Sequence, residues 1–300
     1  MQRRLLYIVN PISGTRNKQS LQQLIRSTTE AVGLPYDIYP SDPAGDYSAL
    51  DPIIREKGYT DIVVAGGDGT VNACLAGLKK HRLPFGIIPC GSGNGLAFSA
   101  GIPRDPARAL EIVFRGKIAW ADAFRINHHF ACMLCGLGFD AQVAHDFARD
   151  PNRGLATYVK QVIRNFVKAA TYPFELRVGG KTLSLDAYFI SIANSNQFGN
   201  NFTIAPRASL TDGLLDVVVA TSLNRFHLLL QTFRQVRGFN RLQQVEMIHE
   251  QTGILYFQTQ DIVIRNPAFA PLHLDGEPVD TAGVIDVAIL PGTFQLIFPA

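Results

Sequence analysis

Gly66-Gly67-Asp68-Gly69-Thr70 stands between an apolar, β-branched run, Asp61 to Ala65, and a stretch from Thr70 to His81. In that second stretch Val71, Cys74, Leu75 and Leu78 share one helical face. Strand, three-glycine turn and helix in this order commit the chain to a sharp strand-to-helix reversal. Glycines let such a turn bring bare N–H groups close to a ligand, and N–H groups at a helix start bind phosphate. A carboxylate inside the turn repels phosphate, which leaves three roles for Asp68. It holds a metal ion, takes a proton from an attacking hydroxyl, or caps the turn.

Two other strand-like runs end the same way. Arg4 to Val9 leads into Asn10-Pro11-Ile12-Ser13-Gly14, and Phe85 to Pro89 leads into Cys90-Gly91-Ser92-Gly93-Asn94-Gly95. In an open parallel sheet these turns gather at the carboxyl edge, where ligands bind. Three of them in the first 100 residues point to a nucleotide site. No Gly-x-x-x-x-Gly-Lys-Ser/Thr run is present, so the chain is not a P-loop enzyme. Leu96 occupies the third-glycine place of a dinucleotide fingerprint, and Glu111 is too near to serve as its ribose acid. Both points disfavour a nicotinamide enzyme.

The pattern changes near residue 122. Before it, strands alternate with helical stretches over Leu21–Val32, Ala49–Lys57, Val71–His81 and Pro106–Phe114, the βαβ rhythm of a parallel sheet. After it, strand-like runs dominate: Asp122–Asn127, Phe130–Cys135, Phe174–Val178, Leu183–Ala193, Leu215–Ala220, Gly253–Gln258 and Asp261–Arg265. Gly179-Gly180 marks a tight hairpin between two of them. These runs predict a mainly antiparallel β-sandwich, interrupted by amphipathic helices over Leu155–Ala170 and Phe226–Gly238. Lys160, Arg164 and Lys168 on the first, and Arg234, Arg237 and Arg241 on or near the second, form basic faces. A solvated helix face is the commoner explanation for such residues; resting on anionic lipid is the other.

Five motifs in register, from about residue 5 to residue 298, carry a family resemblance. Asn10-Pro11-Ile12-Ser13-Gly14, Gly66-Gly67-Asp68-Gly69-Thr70-Val71-Asn72, Gly91-Ser92-Gly93-Asn94, Asp212-Gly213-Leu214-Leu215-Asp216 and Leu274-Asp275-Gly276-Glu277 resemble the diacylglycerol kinase catalytic-domain family. That family includes bacterial lipid kinases, with sphingosine and ceramide kinases as relatives. One departure is Gly91-Ser92-Gly93-Asn94-Gly95, where many bacterial members read Gly-Thr-x-Asn-Asp. The Gly-Ser-Gly-Asn form also occurs among sphingosine kinases.

The resemblance implies an α/β N-terminal domain with an open, mostly parallel, nucleotide-binding sheet over residues 1–122, completed by about 287–300. It implies a β-sandwich lipid-substrate domain over 123–286. The implied activity is transfer of the ATP γ-phosphoryl group to a lipid hydroxyl, most simply of diacylglycerol, with Mg2+. The alternatives are a sphingoid-base kinase and a soluble-substrate kinase of NAD-kinase type.

Asn10, Ser13, Ser41, Gly66, Gly67, Asp68, Gly69, Thr70, Val71, Asn72, Gly91, Ser92 and Asn94 are the nucleotide-site candidates. By pattern alone Ser41 is an ordinary loop serine; only its family position selects it. Glu277, Asp68 and Asp275 are the catalytic candidates, because a hydroxyl protonated at neutral pH needs a base. Bacterial members assign that role to the Glu277 position and sphingosine kinases to the Asp68 position; Glu277 is the expected base here. The bland alternative for Asp275 and Glu277 is a β-turn whose acids cap backbone N–H groups. Asp212, with the carbonyls of Ser209 and Leu214, corresponds to a structural magnesium site, an all-oxygen shell suited to a hard cation.

Composition sets the remaining limits. A net charge of +3 is too small to imply nucleic-acid binding. No stretch approaches the roughly 18–20 apolar residues of a membrane span. Leu5 to Val9 is too short for the roughly 7–15-residue core of a signal peptide. The expected location is cytoplasmic and peripheral to the membrane, with ATP and a lipid at a membrane surface as partners and a homodimer allowed. Cys132-x-x-Cys135 lies in an apolar run without a second pair and reads as core, and the seven histidines lack metal-ligand spacing.

Overall fold

The computed structural model describes residues 2–11, 18–149, 170–197, 203–221 and 253–300, together with 235, 240 and 242–245. Ser13, the two expected amphipathic helices almost entirely, and their six basic residues lie outside these. The chain divides into two units, Met1–Ala121 with Gly292–Ala300, and Asp122–Pro291.

The first unit is built on the parallel strands β1 (Leu5–Val9), β2 (Tyr36–Pro40), β3 (Asp61–Gly66) and β4 (Pro84–Pro89), ordered β2-β1-β3-β4. Every residue of β1, β3 and β4 is buried. A parallel sheet covered on both faces needs such unbroken apolar runs. The helices are α1 (Lys18–Ala31), α2 (Leu50–Lys57), α3 (Asp68–Leu78), α4 (Gly95–Ser99) and α5 (Pro106–Arg115). Asp105 caps α5 by accepting the Ala107 N–H, with Pro106 in the first turn. At Gly86 of β4 a Cβ would come within 2.7 Å of the Val113 side chain, so this glycine lets α5 sit close on the sheet.

Strands β1 and β3 are hydrogen-bonded neighbours, while the chain goes from β1 to β2 on one side and from β3 to β4 on the other. That is a topological switch point, where loops at the carboxyl ends diverge and leave a crevice.

The second unit is mainly antiparallel. Its strands are β5 (Lys117–Ile126), which enters from the first unit, β6 (His129–Ala131), β7 (Leu134–Gly138), β8 (Tyr172–Val178) and β9 (Lys181–Ala193). Then follow β10 (Leu215–Thr221), β11 (Ile254–Thr259), β12 (Asp261–Arg265), β13 (Leu272–Leu274), β14 (Glu277–Val279) and β15 (Val284–Phe298). Gly179 and Gly180 both take positive φ in the β8–β9 hairpin, as a two-residue turn of the primed type requires. Strand β9 pairs with β8 over its first half, then runs between β7 and β10 over its second. One continuous core, including Phe124, Leu176, Ile190, Val217, Phe257, Ile264 and Val287, fills the unit. Cys132 and Cys135 are free, buried thiols.

Three elements depart from the sequence pattern. The expected strand Phe130–Cys135 breaks into β6 and β7 around Cys132-Met133. Helix α6 (Phe139–Arg149) follows β7 directly. The two runs expected at the end form one strand, β15, which pairs antiparallel with β12 in the second unit and parallel with β4 in the first.

Candidate active site

The carboxyl edge of the first unit brings Asn10, at the start of the first predicted turn, together with the other two turns. The Asn10 N–H donates to Ala65 O at 2.9 Å, and its side-chain Nδ2 donates to Thr70 Oγ1 at 2.7 Å. The Cys90 N–H donates to Gly66 O, and the N–H of Ser41, beyond β2, to Val9 O. The second and third glycine turns touch through their backbones. A Cβ on Gly91 would lie 2.7 Å from Gly67 Cα, and one on Gly67 would lie 3.2 Å from Gly91 Cα. Asn94 closes the Gly91 turn on itself. Its Oδ1 accepts the Gly91 N–H and its Nδ2 donates to Gly91 O, both at 2.8 Å, with φ +58°.

Gly67 precedes α3, so the first N–H groups of that helix have no partner within it. Gly69 is exposed, and nothing stands within 4 Å of where its Cβ would be. The N–H groups of Gly69 and Thr70 thus stand at an open helix start, the arrangement that receives phosphate. Val71 contributes neither group: its side chain is buried and its N–H donates to Gly67 O. Ser92 is exposed, with Arg104 Nη2 donating to its carbonyl at 3.3 Å. Asn72 is half-buried on the first turns of α3.

Asp68 ties two of these turns together. Its carboxylate accepts the N–H groups of Gly95, Leu96 and Asn94 at the start of α4. Burial raises its pKa, and those N–H groups oppose the rise. The carboxylate thus serves as a cap for the start of α4.

In the second unit Leu274-Asp275-Gly276-Glu277 is a two-residue hairpin between β13 and β14, with Leu274 opposite Glu277. Asp275 and Gly276 have φ of +49° and +86°, the Asp-Gly solution to a primed turn. The Asp275 carboxylate accepts the N–H groups of Leu134 at 2.9 Å, Met133 at 3.1 Å and Cys132 at 3.4 Å. This explains the break between β6 and β7, whose N–H groups go to a side chain instead of a strand. Asp275 is therefore engaged in holding the hairpin. Glu277 is exposed, and its carboxylate has no hydrogen bond or ion pair to any described residue.

The turn before β10 holds a feature that sequence reasoning missed. The Leu214 N–H donates to Asp212 Oδ1 at 3.1 Å, and the Gly213 N–H to Asp122 Oδ2 at 2.8 Å. Ser209 Oγ lies 3.4 Å from Thr211 Oγ1. Asp122 is buried in β5, and the only sequence signal for it is an acid inside an alternating apolar run. Partial burial raises the Asp212 pKa, the Leu214 N–H opposes the rise, and the Asp122 charge adds to it. Asp212 on the turn and Asp122 on β5 beside it bring two carboxylates to one turn, oxygen donors that suit a hard cation. No group of three or more His, Cys, Asp or Glu side chains able to hold a metal exists among the described residues. Main-chain carbonyls would have to complete any shell.

Comparisons with known proteins bear on the family and the fold. A sequence profile of the diacylglycerol kinase catalytic domain matches residues 4–126. One of the YegS C-terminal NAD kinase beta sandwich-like domain matches residues 134–298. The chain is 26% identical over 283 residues to the diacylglycerol kinase of Bacillus subtilis, covering 92% of this chain and 90% of that protein. It is 26% identical over 246 residues to a probable YegS-like lipid kinase of Shewanella frigidimarina, covering 79% and 76%. A crystal structure of a diacylglycerol kinase from Bacillus anthracis superposes with a TM-score of 0.74 at 21% identity, covering 99% and 97% of the two chains. At that identity the likeness speaks for the fold.

Proposed function

The chain belongs to the diacylglycerol kinase catalytic-domain family, and from that premise we propose that it is an ATP-dependent lipid kinase whose acceptor is a hydroxyl of diacylglycerol or a related lipid. The observation that carries the reading is the meeting of Gly67 and Gly91 beside the open start of α3. A side chain at either glycine would meet the backbone of the other turn and push both away from the start of α3, where phosphate would bind. In this role the Gly69 and Thr70 N–H groups bind phosphate oxygens, and Asn10, through its bond to Thr70, fixes the side of the cradle. Asp68 keeps the two turns together. Ser13, Ser41, Asn72 and Ser92 remain nucleotide-contact candidates.

In the proposed reaction the lipid hydroxyl oxygen forms a bond to the γ-phosphorus as the bond from that phosphorus to the β–γ bridging oxygen breaks, and ADP leaves. The hydroxyl proton passes to Glu277. Two observations support Glu277 over Asp68 as the acceptor. The Glu277 carboxylate is exposed and unengaged among the described residues, whereas Asp68 already accepts three N–H groups. Magnesium bound with ATP would neutralise charge on the transferring group. A second, structural ion would be held by Asp212 and the carbonyls of Ser209 and Leu214, with Asp122 adding charge.

Among the described residues no helix is long and apolar enough to cross a membrane. The test is to incubate purified protein with γ-labelled ATP, a mixed lipid extract and NAD. Labelled phosphatidic acid is the expected product. A labelled sphingoid-base phosphate would replace the acceptor class, and label in NADP alone would overturn the lipid reading.

A further inference from the structure

The hairpin that bears Glu277 is held from beneath by a buried histidine and aspartate. We infer that His273 and Asp140 are positioning residues for Glu277, an inference that rests on Glu277 being the proton acceptor. His273 is fully buried in β13. It sits in a cross-strand row with Gly136 of β7 on one side and Pro278 of β14 on the other. Gly136 leaves the space that the pair occupies. A Cβ there would lie 2.0 Å from Asp140 Oδ2 and 2.6 Å from His273 Nε2. Those two atoms are 3.5 Å apart.

The contacts form a row from the acid turn through the histidine ring to the helix, with donation running toward the helix. Asp140 opens α6, where its Oδ1 accepts the Ala141 N–H at 2.8 Å. Its Oδ2 faces His273 Nε2. On the far side of the ring, His273 Nδ1 accepts the Gly276 N–H at 3.3 Å. A ring nitrogen that accepts carries no proton, so the neutral imidazole holds its proton on Nε2, toward Asp140. Burial raises the Asp140 pKa and His273 opposes the rise. Both residues of the turn are thereby held, Asp275 through its carboxylate and Gly276 through its N–H. Glu277 is the next residue. An apolar pair could fill the same volume at equal or better stability. What the polar pair adds is a defined direction for the Gly276 N–H, and so for the start of β14.

The experiment compares phosphoryl transfer to diacylglycerol in detergent micelles by wild type and variants. His273→Leu should lower kcat roughly 10–10²-fold, the effect of a misplacement of about 1 Å, with KM for ATP unchanged. His273→Asn should recover most of the loss, because its Oδ1 can accept the Gly276 N–H; His273→Gln, which keeps only the donor toward Asp140, should not. Asp140→Asn should be slow too, since it sets an amide NH2 against a donor at Nε2 or at Ala141. Adding His273→Leu to Glu277→Gln should cost nothing further, because the histidine acts through Glu277.

Full turnover by His273→Leu, equal rates for the Asn and Gln variants, or multiplying effects in the double variant would overturn the inference and leave Glu277 in place. Wild-type turnover by Glu277→Gln would remove the base assignment and the inference with it. Independently of activity, nitrogen NMR of the wild-type protein should show the neutral Nε2-protonated tautomer of His273 near pH 7.5; the opposite tautomer would also overturn the inference.

Discussion

Asp68, Asp275 and Glu277 are three acids on glycine-bearing turns, among which only the family resemblance favoured Glu277 as base, and their surroundings differ. Two have become caps, each accepting three main-chain N–H groups, and one is unengaged among the described residues. Motif spacing could locate them, because each lies on a local turn. It could not rank them, because the N–H groups that engage Asp68 come from residues 94–96, and those that engage Asp275 from residues 132–134, over 140 positions away in the chain. Asp68→Ala should lose a cap that contributes about 1 kcal/mol and should abolish turnover while the protein stays folded, as circular dichroism and activity together would report. A fourth acid gives a pH prediction. Asp216 is buried, with Tyr256 Oη donating at 2.6 Å and Gln258 Nε2 at 3.0 Å, and burial pushes its pKa up to about 6. Its folded pKa exceeds the unfolded one, so the native state binds the extra proton. Stability from this group is present below about pH 4 and is lost as pH rises toward 6, by roughly 2–3 kcal/mol. Urea melts of wild type and Asp216→Asn should converge at low pH and separate in favour of the variant between pH 4 and 6.

At the level of elements, β1, β3 and β4 were legible because each is a buried, mainly apolar run closed by a glycine-bearing turn. β1, β3 and β4 fall within a residue or so of their expected bounds. Strands β13 and β14 were not, since three residues are too few to show a period of two. Nor was the split between β6 and β7, which Asp275 imposes from far along the chain. Helix α6 was missed as well, and with it Asp140 at its start. The contact between the Gly67 and Gly91 turns is the element-level feature open to direct test. Gly91→Ala places a Cβ 2.7 Å from Gly67 Cα, and backbone has to move. A stability loss of about 1–3 kcal/mol is expected from such overpacking, with a much larger loss of ATP affinity by calorimetry. Ser92→Ala, at an exposed position, should leave stability unchanged; equal ATP affinity in wild type and Gly91→Ala would remove the phosphate cradle from this turn.

At the level of the whole molecule, the change from alternating α and β to successive strands was readable, because parallel and antiparallel sheets differ in pattern. The course of β15 was not, since Pro291-Gly292 looks like a break and is an interior part of one strand. The structural-ion proposal is also a whole-molecule statement, because a cation bound only to the native state raises its melting temperature. Magnesium at 100 times its dissociation constant should add about 2.7 kcal/mol to wild type and nothing to Asp212→Ala, measured without nucleotide. A wild-type melting temperature indifferent to magnesium would count against the site.

The division of labour between a capping Asp68 and a reacting Glu277 is tested most directly by steady-state phosphoryl transfer with labelled ATP and diacylglycerol, run on Glu277→Gln and Asp68→Asn together. The account predicts that Glu277→Gln keeps KM for ATP and loses roughly 10²–10⁴-fold in kcat, the contribution of a positioned base. Asp68→Asn keeps one acceptor oxygen for the α4 N–H groups and should retain measurable turnover. Near-normal turnover by Glu277→Gln beside an inactive Asp68→Asn would contradict the account and make Asp68 the base.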